Sequence, residues 1–165
     1  MQILDFDPKQ GQAFQGDVSI IPIPSDVAIV RAHEIKPVDN KLILQEGELT
    51  GHHHHIALLY RPAKAERAVP GVKPSRKLQR LMADALAGKI KVPTAKLYRD
   101  ASVAAEMQRR GILARADIAV GCLVIEGGPM VVTHQEHDGI RLPVGNYLIG
   151  RQIESAGEEE RRVAD

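Results

Sequence analysis

The order of the predicted secondary structure constrains the fold of this chain more than any other feature. Short runs of β-branched and apolar residues occupy both ends of the sequence, and two helical patterns lie together between them. Because strands and helices do not alternate, a parallel α/β fold is disfavoured. The sequence therefore predicts a mainly β protein of the α+β class, a small antiparallel β-barrel or sandwich with an inserted basic segment of two helices.

The predicted strands are apolar runs separated by turn residues. The clearest hairpin has Gly127, Gly128 and Pro129 between apolar runs at 118–125 and 130–134. The charged tail at 155–165 is predicted to form a short helix. Further strands are predicted at 17–23, 27–31, 41–45, 48–60, 95–98, 140–142 and 147–154, with a short one at 2–5.

Two helices are predicted in the middle of the chain. Ser75 is a potential N-cap, and apolar residues then recur at three- and four-residue intervals until Gly88. A second helix, capped by Asp100 or Ser102, ends at Gly111. We interpret residues 1–165 as a single domain, in which residues 61–115 form a basic arm and a helical insertion.

The positive charge of the chain is concentrated in this middle segment. Between Arg61 and Arg99, eleven Lys or Arg residues accompany two acidic residues, a local charge of +9; since the whole chain carries +1, the remainder carries −8. Such a segment suits nucleic-acid phosphates, an acidic protein surface or self-association in a virion or shell component; the alternative is a solvated helix face and a mobile arm. The residues predicted to make these contacts are Arg61, Lys64, Arg67, Lys73, Arg76, Lys77 and Arg80.

The composition also excludes several classes of protein. The N-terminal residues lack the basic and apolar regions of a signal peptide, and no apolar run reaches the length of a membrane span, about 18 residues. We therefore predict no membrane association and a cytoplasmic location, or a virion location if the protein is phage-borne. The lone Cys122 allows no intrachain disulfide and is predicted to be buried as a small hydrophobe.

Six of the seven histidines lie in two short clusters. The first is an internal run of four, His52, His53, His54 and His55, which we interpret as native because an expression tag is normally terminal. On a strand, His52 and His54 share one face and His53 and His55 share the other. Two imidazoles at this spacing can supply half of a metal site. We assign this role to His52 and His54, because the preceding Gly51 allows close approach.

The second cluster follows the predicted strand at 130–134. His134, Glu136 and His137 can converge on an ion if the chain bends at Asp138 and Gly139. The predicted metal ligands are therefore His52, His54, His134, His137 and Glu136. Imidazole and carboxylate ligands suit zinc first, and also iron, nickel, copper or manganese.

We predict that this metal site has a structural or regulatory role, and the sequence identifies no catalytic residue. A metal-dependent enzyme would need an open coordination position and a base, for which Glu136 and Glu48 are the available residues. The sequence leaves open whether His53 and His55 take part in metal binding. The motifs of common hydrolases, nucleotide-binding proteins and helix-borne zinc proteases are absent from it.

Several motifs together resemble a family of small uncharacterised bacterial and phage-borne proteins. The similar segments lie within residues 16–60 and 129–165 and exclude the basic middle. They are the G-E-L-T-G-H-H-H run at 47–54, H-Q-E-H at 134–137, L-P-V-G-N-Y at 142–147, R-Q-I-E at 151–154 and V-A-D at 163–165. The resemblance implies no established activity. It implies variability at His53, which agrees with choosing His52 and His54.

A looser similarity is to cupins, which also place H-x-H on one strand and a later histidine on another. It implies the alternative of a cupin-like metal-dependent enzyme. The glutamate that follows H-x-H in cupins has no counterpart here, because residues 56–60 contain no carboxylate.

Overall fold

The computed structural model describes residues 2–46, 51–58, 76–156 and 159–162. Within these ranges the chain is rich in short strands and contains two α-helices. The strands are β1 (Ile3–Asp5), β2 (Ala13–Gln15), β3 (Val18–Pro22), β4 (Glu34–Ile35), β5 (Lys41–Glu46), β6 (His53–Ala57), β7 (Thr94–Tyr98), β8 (Ala119–Glu126), β9 (Met130–Thr133), β10 (Gly139–Leu142), β11 (Gly145–Arg151), β12 (Ile153–Ala156) and β13 (Glu159–Arg162). The helices are α1 (Arg76–Leu86) and α2 (Ala101–Arg109).

Two sheets form the body of the protein. Sheet A has the strand order β1-β10-β9-β6-β5, and sheet B has the order β2-β3-β11-β8-β7-β4. β1 runs parallel to β10, and the strand pairs on either side of β6, β8 and β11 are antiparallel. Strands β12 and β13 form a separate hairpin. Because the two large sheets do not pair with each other within the described residues, the architecture is a sandwich rather than the closed barrel that was the other predicted possibility.

The apolar residues of sheet B pack on both of its faces. One core cluster lies between the sheets and includes Ile20, Ile56 and Leu123. A second cluster joins the other face of sheet B to α2, through Cys122 and Met107 among others. Burial on both faces explains why the sequence of β8 is a continuous apolar run rather than an alternating one. It also confirms that Cys122 is buried.

Three features of the fold bear on the other predictions. Asp100 caps α2, as predicted, because its Oδ1 accepts a hydrogen bond from Ser102 N at 3.0 Å. The strand predicted at 27–31 is wrong: those residues form a loop, and Val30 N donates to Asp100 Oδ2 at 2.7 Å instead of pairing in a sheet. β7 lies within the segment at 61–115 and pairs with β4 and β8, so this part of the segment belongs to sheet B.

The tail also differs from its prediction. Residues 153–156 and 159–162 form the β12–β13 hairpin rather than a helix. A run of charged residues has no apolar periodicity that would distinguish a helix from a strand. Among the described residues, no helix has the length and apolar character that a membrane crossing requires.

Candidate functional site

The strand β6 presents its histidines on alternate faces, as the sequence predicts. His54 and Ile56 are fully buried and point between the sheets, whereas His53 and His55 are half-buried on the outer face. His52 precedes the strand on the inner side, and its ring lies 5.8 Å from that of His134. The two histidines predicted to bind metal therefore lie on the same inner side, His54 within β6 and His52 just before it.

The pairing of β6 with β9 brings the second cluster to the first. His55 pairs with Thr133 and Ile56 with Val132 in antiparallel register. One step further along this register, His134 comes opposite His54, and their rings stack with centroids 4.3 Å apart at 23°. His134 is 3 % exposed. Two histidines separated by eighty positions therefore meet as a cross-strand pair.

The turn after β9 brings the remaining predicted residues to the same place. The ring of His137 stacks on that of His134 at 4.6 Å. Glu136 Oε2 lies 3.6 Å from His52 Nδ1, and the Glu136 side chain is 57 % exposed. We call His52, His54, His134 and His137 the histidine cluster; it has a buried inner side at His54 and an outer side at Glu136.

A buried carboxylate that the sequence did not predict lies at the inner side. Asp17 is in the turn between β2 and β3, and it reaches from sheet B to sheet A. Its Oδ1 lies 2.8 Å from His54 Nε2, and its side chain is 7 % exposed. Although this contact is short, no aligned hydrogen bond reaches Oδ1 from the described residues. A lone aspartate after a glycine carries no sequence signal for such a role.

Gln15 determines which nitrogen of His54 carries a proton. Its Nε2 donates to Val132 O at 3.2 Å and to Asp138 O at 2.6 Å, so its Oε1 must be the atom that faces His54. His54 Nδ1 lies 2.9 Å from this oxygen and therefore donates to it. His54 Nε2 is consequently the ring nitrogen that faces Asp17.

A β-bulge in β5 brings another polar group to Asp17. The pairing of β5 with β6 shifts by one residue between Ile43 and Gln45. This shift turns Gln45 inward, where it is 7 % exposed and donates from Nε2 to Asp17 Oδ2 at 3.4 Å. Gln45 Oε1 in turn accepts from Arg151 Nε at 3.2 Å. Bulges often re-aim a side chain in this way beside functional sites.

The outer-face histidines have different surroundings. The rings of His53 and His55 lie 5.4 Å apart. His53 Nδ1 is 3.3 Å from Gly51 O, and His55 Nε2 is 3.2 Å from Thr133 Oγ1. Burial and then the charge of Lys41 lower the pKa of His55. These two histidines face away from the histidine cluster, and the structure brings neither of them to Asp17.

The described residues contain no group of three or more His, Cys, Asp or Glu side chains already arranged to hold a metal ion. The geometry of the rings explains this. The lone pair of an imidazole lies in the plane of its ring, and the rings of His54, His134 and His137 are nearly parallel, at 12–23° to one another. Their nitrogens therefore lie in parallel planes and do not converge on one point.

The predicted basic surface is only partly described. Arg76, Lys77 and Arg80 are exposed on α1. The other predicted contact residues lie outside the described residues, as does Glu48; they are Arg61, Lys64, Arg67 and Lys73.

Comparison with known proteins assigns no family to the chain. No protein-family model, curated protein or solved structure matches it.

Proposed function

We propose that this protein binds one divalent metal ion at the inner side of the histidine cluster. Asp17, His54 and His134 supply the inner ligands, and His52 or His137 completes the set, with Glu136 at the outer side. Zinc fits this combination of imidazole and carboxylate best. The observation that carries the proposal is the contact between Asp17 Oδ1 and His54 Nε2 at 2.8 Å.

This contact calls for a positive species between its two atoms. Because Gln15 holds the proton of His54 on Nδ1, an electron pair on Nε2 faces a buried carboxylate oxygen. Either a proton or a metal ion must lie between them. We propose the metal ion, because the rings of His52, His134 and His137 lie beside the same pair and imidazoles are common metal ligands.

The separation of the two atoms also suits a shared ion. Two ligands of a tetrahedral zinc ion, each about 2.0–2.1 Å from the metal, are about 3.3 Å apart. The observed separation is 2.8 Å, so the two side chains need to move apart by about 0.5 Å. Gln15 holds His54 through Nδ1, and Gln45 holds Asp17 through Oδ2, so both groups are oriented by hydrogen bonds.

Metal binding requires one larger change, at His134. Its Nδ1 accepts a hydrogen bond from Glu136 N at 3.2 Å, so in a neutral ring the proton is on Nε2. Coordination through Nε2 moves that proton to Nδ1, which can no longer accept from Glu136 N. The His134 ring must therefore turn out of its stack on His54, and the turn at Glu136 must move with it.

The burial of these groups supports a functional rather than a packing role. Asp17, His54 and His134 are all buried. Burying ionisable groups costs free energy unless they are paired or bound to a metal. A site closed by four protein ligands is typical of a structural ion, and this is the role we propose.

Elemental analysis of the untagged protein tests the proposal. After dialysis against zinc and removal of free metal, we expect wild type to retain about one equivalent, and the Asp17→Asn and His134→Gln variants to retain no stoichiometric metal. The matched control is the double variant His53→Gln/His55→Gln, which removes histidines from the same strand but from its outer face. Circular dichroism verifies that each variant is folded.

The outcome that contradicts the proposal is equally specific. If wild type retains no metal, or if only the His53→Gln/His55→Gln variant loses it, the inner side of the cluster is not a metal site. Substitution with cobalt then tests the structural role, because four protein ligands produce intense tetrahedral d–d absorption bands and an open octahedral site produces weak ones.

A further inference from the structure

The seventh histidine, His33, lies in a pocket away from the histidine cluster. The pocket has a volume of about 560 Å³ and is lined by residues around β4 and by Arg99. β4 is at one edge of sheet B, and β2, which leads into Asp17, is at the opposite edge. The pocket and the histidine cluster are therefore separate sites.

Three of the seven residues that line this pocket are cationic. Arg31, Lys36 and Arg99 contribute to it, together with one carboxylate, Glu34. Lys36 Nζ lies 3.0 Å from Glu34 Oε2, so these two charges offset each other. Arg31 reaches Glu126 at 3.2 Å through one terminal nitrogen, which leaves its other N–H groups for a ligand. Within the described residues, no carboxylate forms an ion pair with Arg99.

The backbone around the pocket is held in place before any ligand binds. β4 pairs with β7 through Glu34 with Tyr98, and Arg99 N donates to His33 O at 2.9 Å. The Asp100 carboxylate attaches the preceding loop to the start of α2, through Val30 N at 2.7 Å. A site with its backbone fixed loses less conformational entropy on binding.

We propose that this pocket binds a small phosphomonoester. The guanidinium of Arg99 suits bidentate contact with a phosphate, and Arg31 and His33 supply further donors. Ile35 and Ala32 also line the pocket and give the carbon part of the ligand an apolar contact. The pocket is open to solvent, since Arg31, His33 and Arg99 are exposed, and its volume is of the size that small-molecule sites occupy, about 300–1,000 Å³. None of the lining residues is a tyrosine or phenylalanine, so a stacked base is not part of the proposal.

NMR titration of the ¹⁵N-labelled, metal-free protein tests this inference. The probes are glycerol 3-phosphate, inorganic phosphate as the free anion, and glycerol as the neutral control. We expect saturable shifts of the amides around His33 and Arg99 with glycerol 3-phosphate, weaker binding of inorganic phosphate and no binding of glycerol. Because EDTA is present throughout, the result does not depend on the histidine cluster.

Single substitutions inside and outside the pocket locate the site. Arg99→Gln is expected to weaken binding of glycerol 3-phosphate at least about tenfold, the effect of one lost charge-assisted contact. Lys96→Gln removes an exposed positive charge from β7 that does not line the pocket, and it is expected to bind as wild type does. His33→Gln is a second test if Arg99→Gln is unstable.

Three outcomes overturn the inference. They are the absence of saturable shifts with either phosphate probe, an equal loss of affinity in Arg99→Gln and Lys96→Gln, and equal binding of glycerol and glycerol 3-phosphate. Each of them leaves the metal proposal untouched, because that proposal is judged by bound metal and by Asp17 and His134.

Discussion

Replacing Gln15 by leucine is expected to lower the free energy of unfolding by about 3 kcal/mol. Gln15 is 3 % exposed and makes three hydrogen bonds through its side chain, to Val132 O, Asp138 O and His54 Nδ1. Each buried group that loses its partner costs about 1–3 kcal/mol. The Asp138 carbonyl is only partly buried and can bind water instead, so the expected loss for the three groups together is near the lower limit of about 1 kcal/mol each. Leucine has a similar volume, and a cavity does not contribute.

Urea unfolding followed by circular dichroism measures this loss. The protein is studied in EDTA, so that bound metal does not stabilise the folded state by linkage. For a domain of this length, 1 kcal/mol corresponds to about 2–4 °C, and the melting temperature is therefore expected to fall by about 6–12 °C. The control is Gln12→Leu, because Gln12 is exposed.

Equal free energies of unfolding for Gln15→Leu and Gln12→Leu would refute this prediction. That result would mean that Gln15 does not hold His54, and the assignment of the His54 proton to Nδ1 would lose its basis. A loss of stability without any change in zinc affinity would instead restrict Gln15 to a role in folding.

Three further predictions concern other parts of the molecule. Burial raises the pKa of Cys122 to about 12. We therefore expect its thiol to resist Ellman's reagent near neutral pH until urea unfolds the protein, and rapid reaction of the native protein would contradict this prediction. Gly127 has φ +80°, and a Cβ there would clash with the Val92 carbonyl, so Gly127→Ala should lower the free energy of unfolding by about 2 kcal/mol or more. The control Gly111→Ala, where φ is +74° and the space is open, should lower it by about 1 kcal/mol. Equal urea midpoints for the two variants would be evidence against the clash. Hydrogen bonds from Arg109 and then Arg110 lower the pKa of Glu106 from 4.5 to about 2, so the stability that it contributes is complete above pH 4.5 and is lost as the pH falls to about 2. The stabilities of wild type and Glu106→Gln should therefore converge over that range, and a gap that widens on acidification would show the sign to be wrong.

Much of the sheet architecture was predictable from local pattern. The break between two strands at Gly127 and Gly128 and the capping of α2 by Asp100 depend only on neighbouring residues, and the structure contains both. The hairpin predicted at this break is wrong, because β8 belongs to sheet B and β9 to sheet A, so the chain crosses between the sheets there. The loop at 27–31 was not predictable in the same way. Its apolar residues Val27 and Ile29 pack against the α2 side of sheet B, which a β-branched run cannot distinguish from pairing within a sheet.

The sequence by itself determined that His52 and His54 face the same side of β6, since side chains on a strand alternate with a period of two. Only the tertiary structure decided which groups meet them there. The register of β6 with β9 brings His134 opposite His54, the β2–β3 turn carries Asp17 across from the other sheet, and a one-residue bulge turns Gln45 inward. Each of these contacts depends on strand pairing between distant segments. The period-two pattern of one strand contains no information about which strand pairs with it.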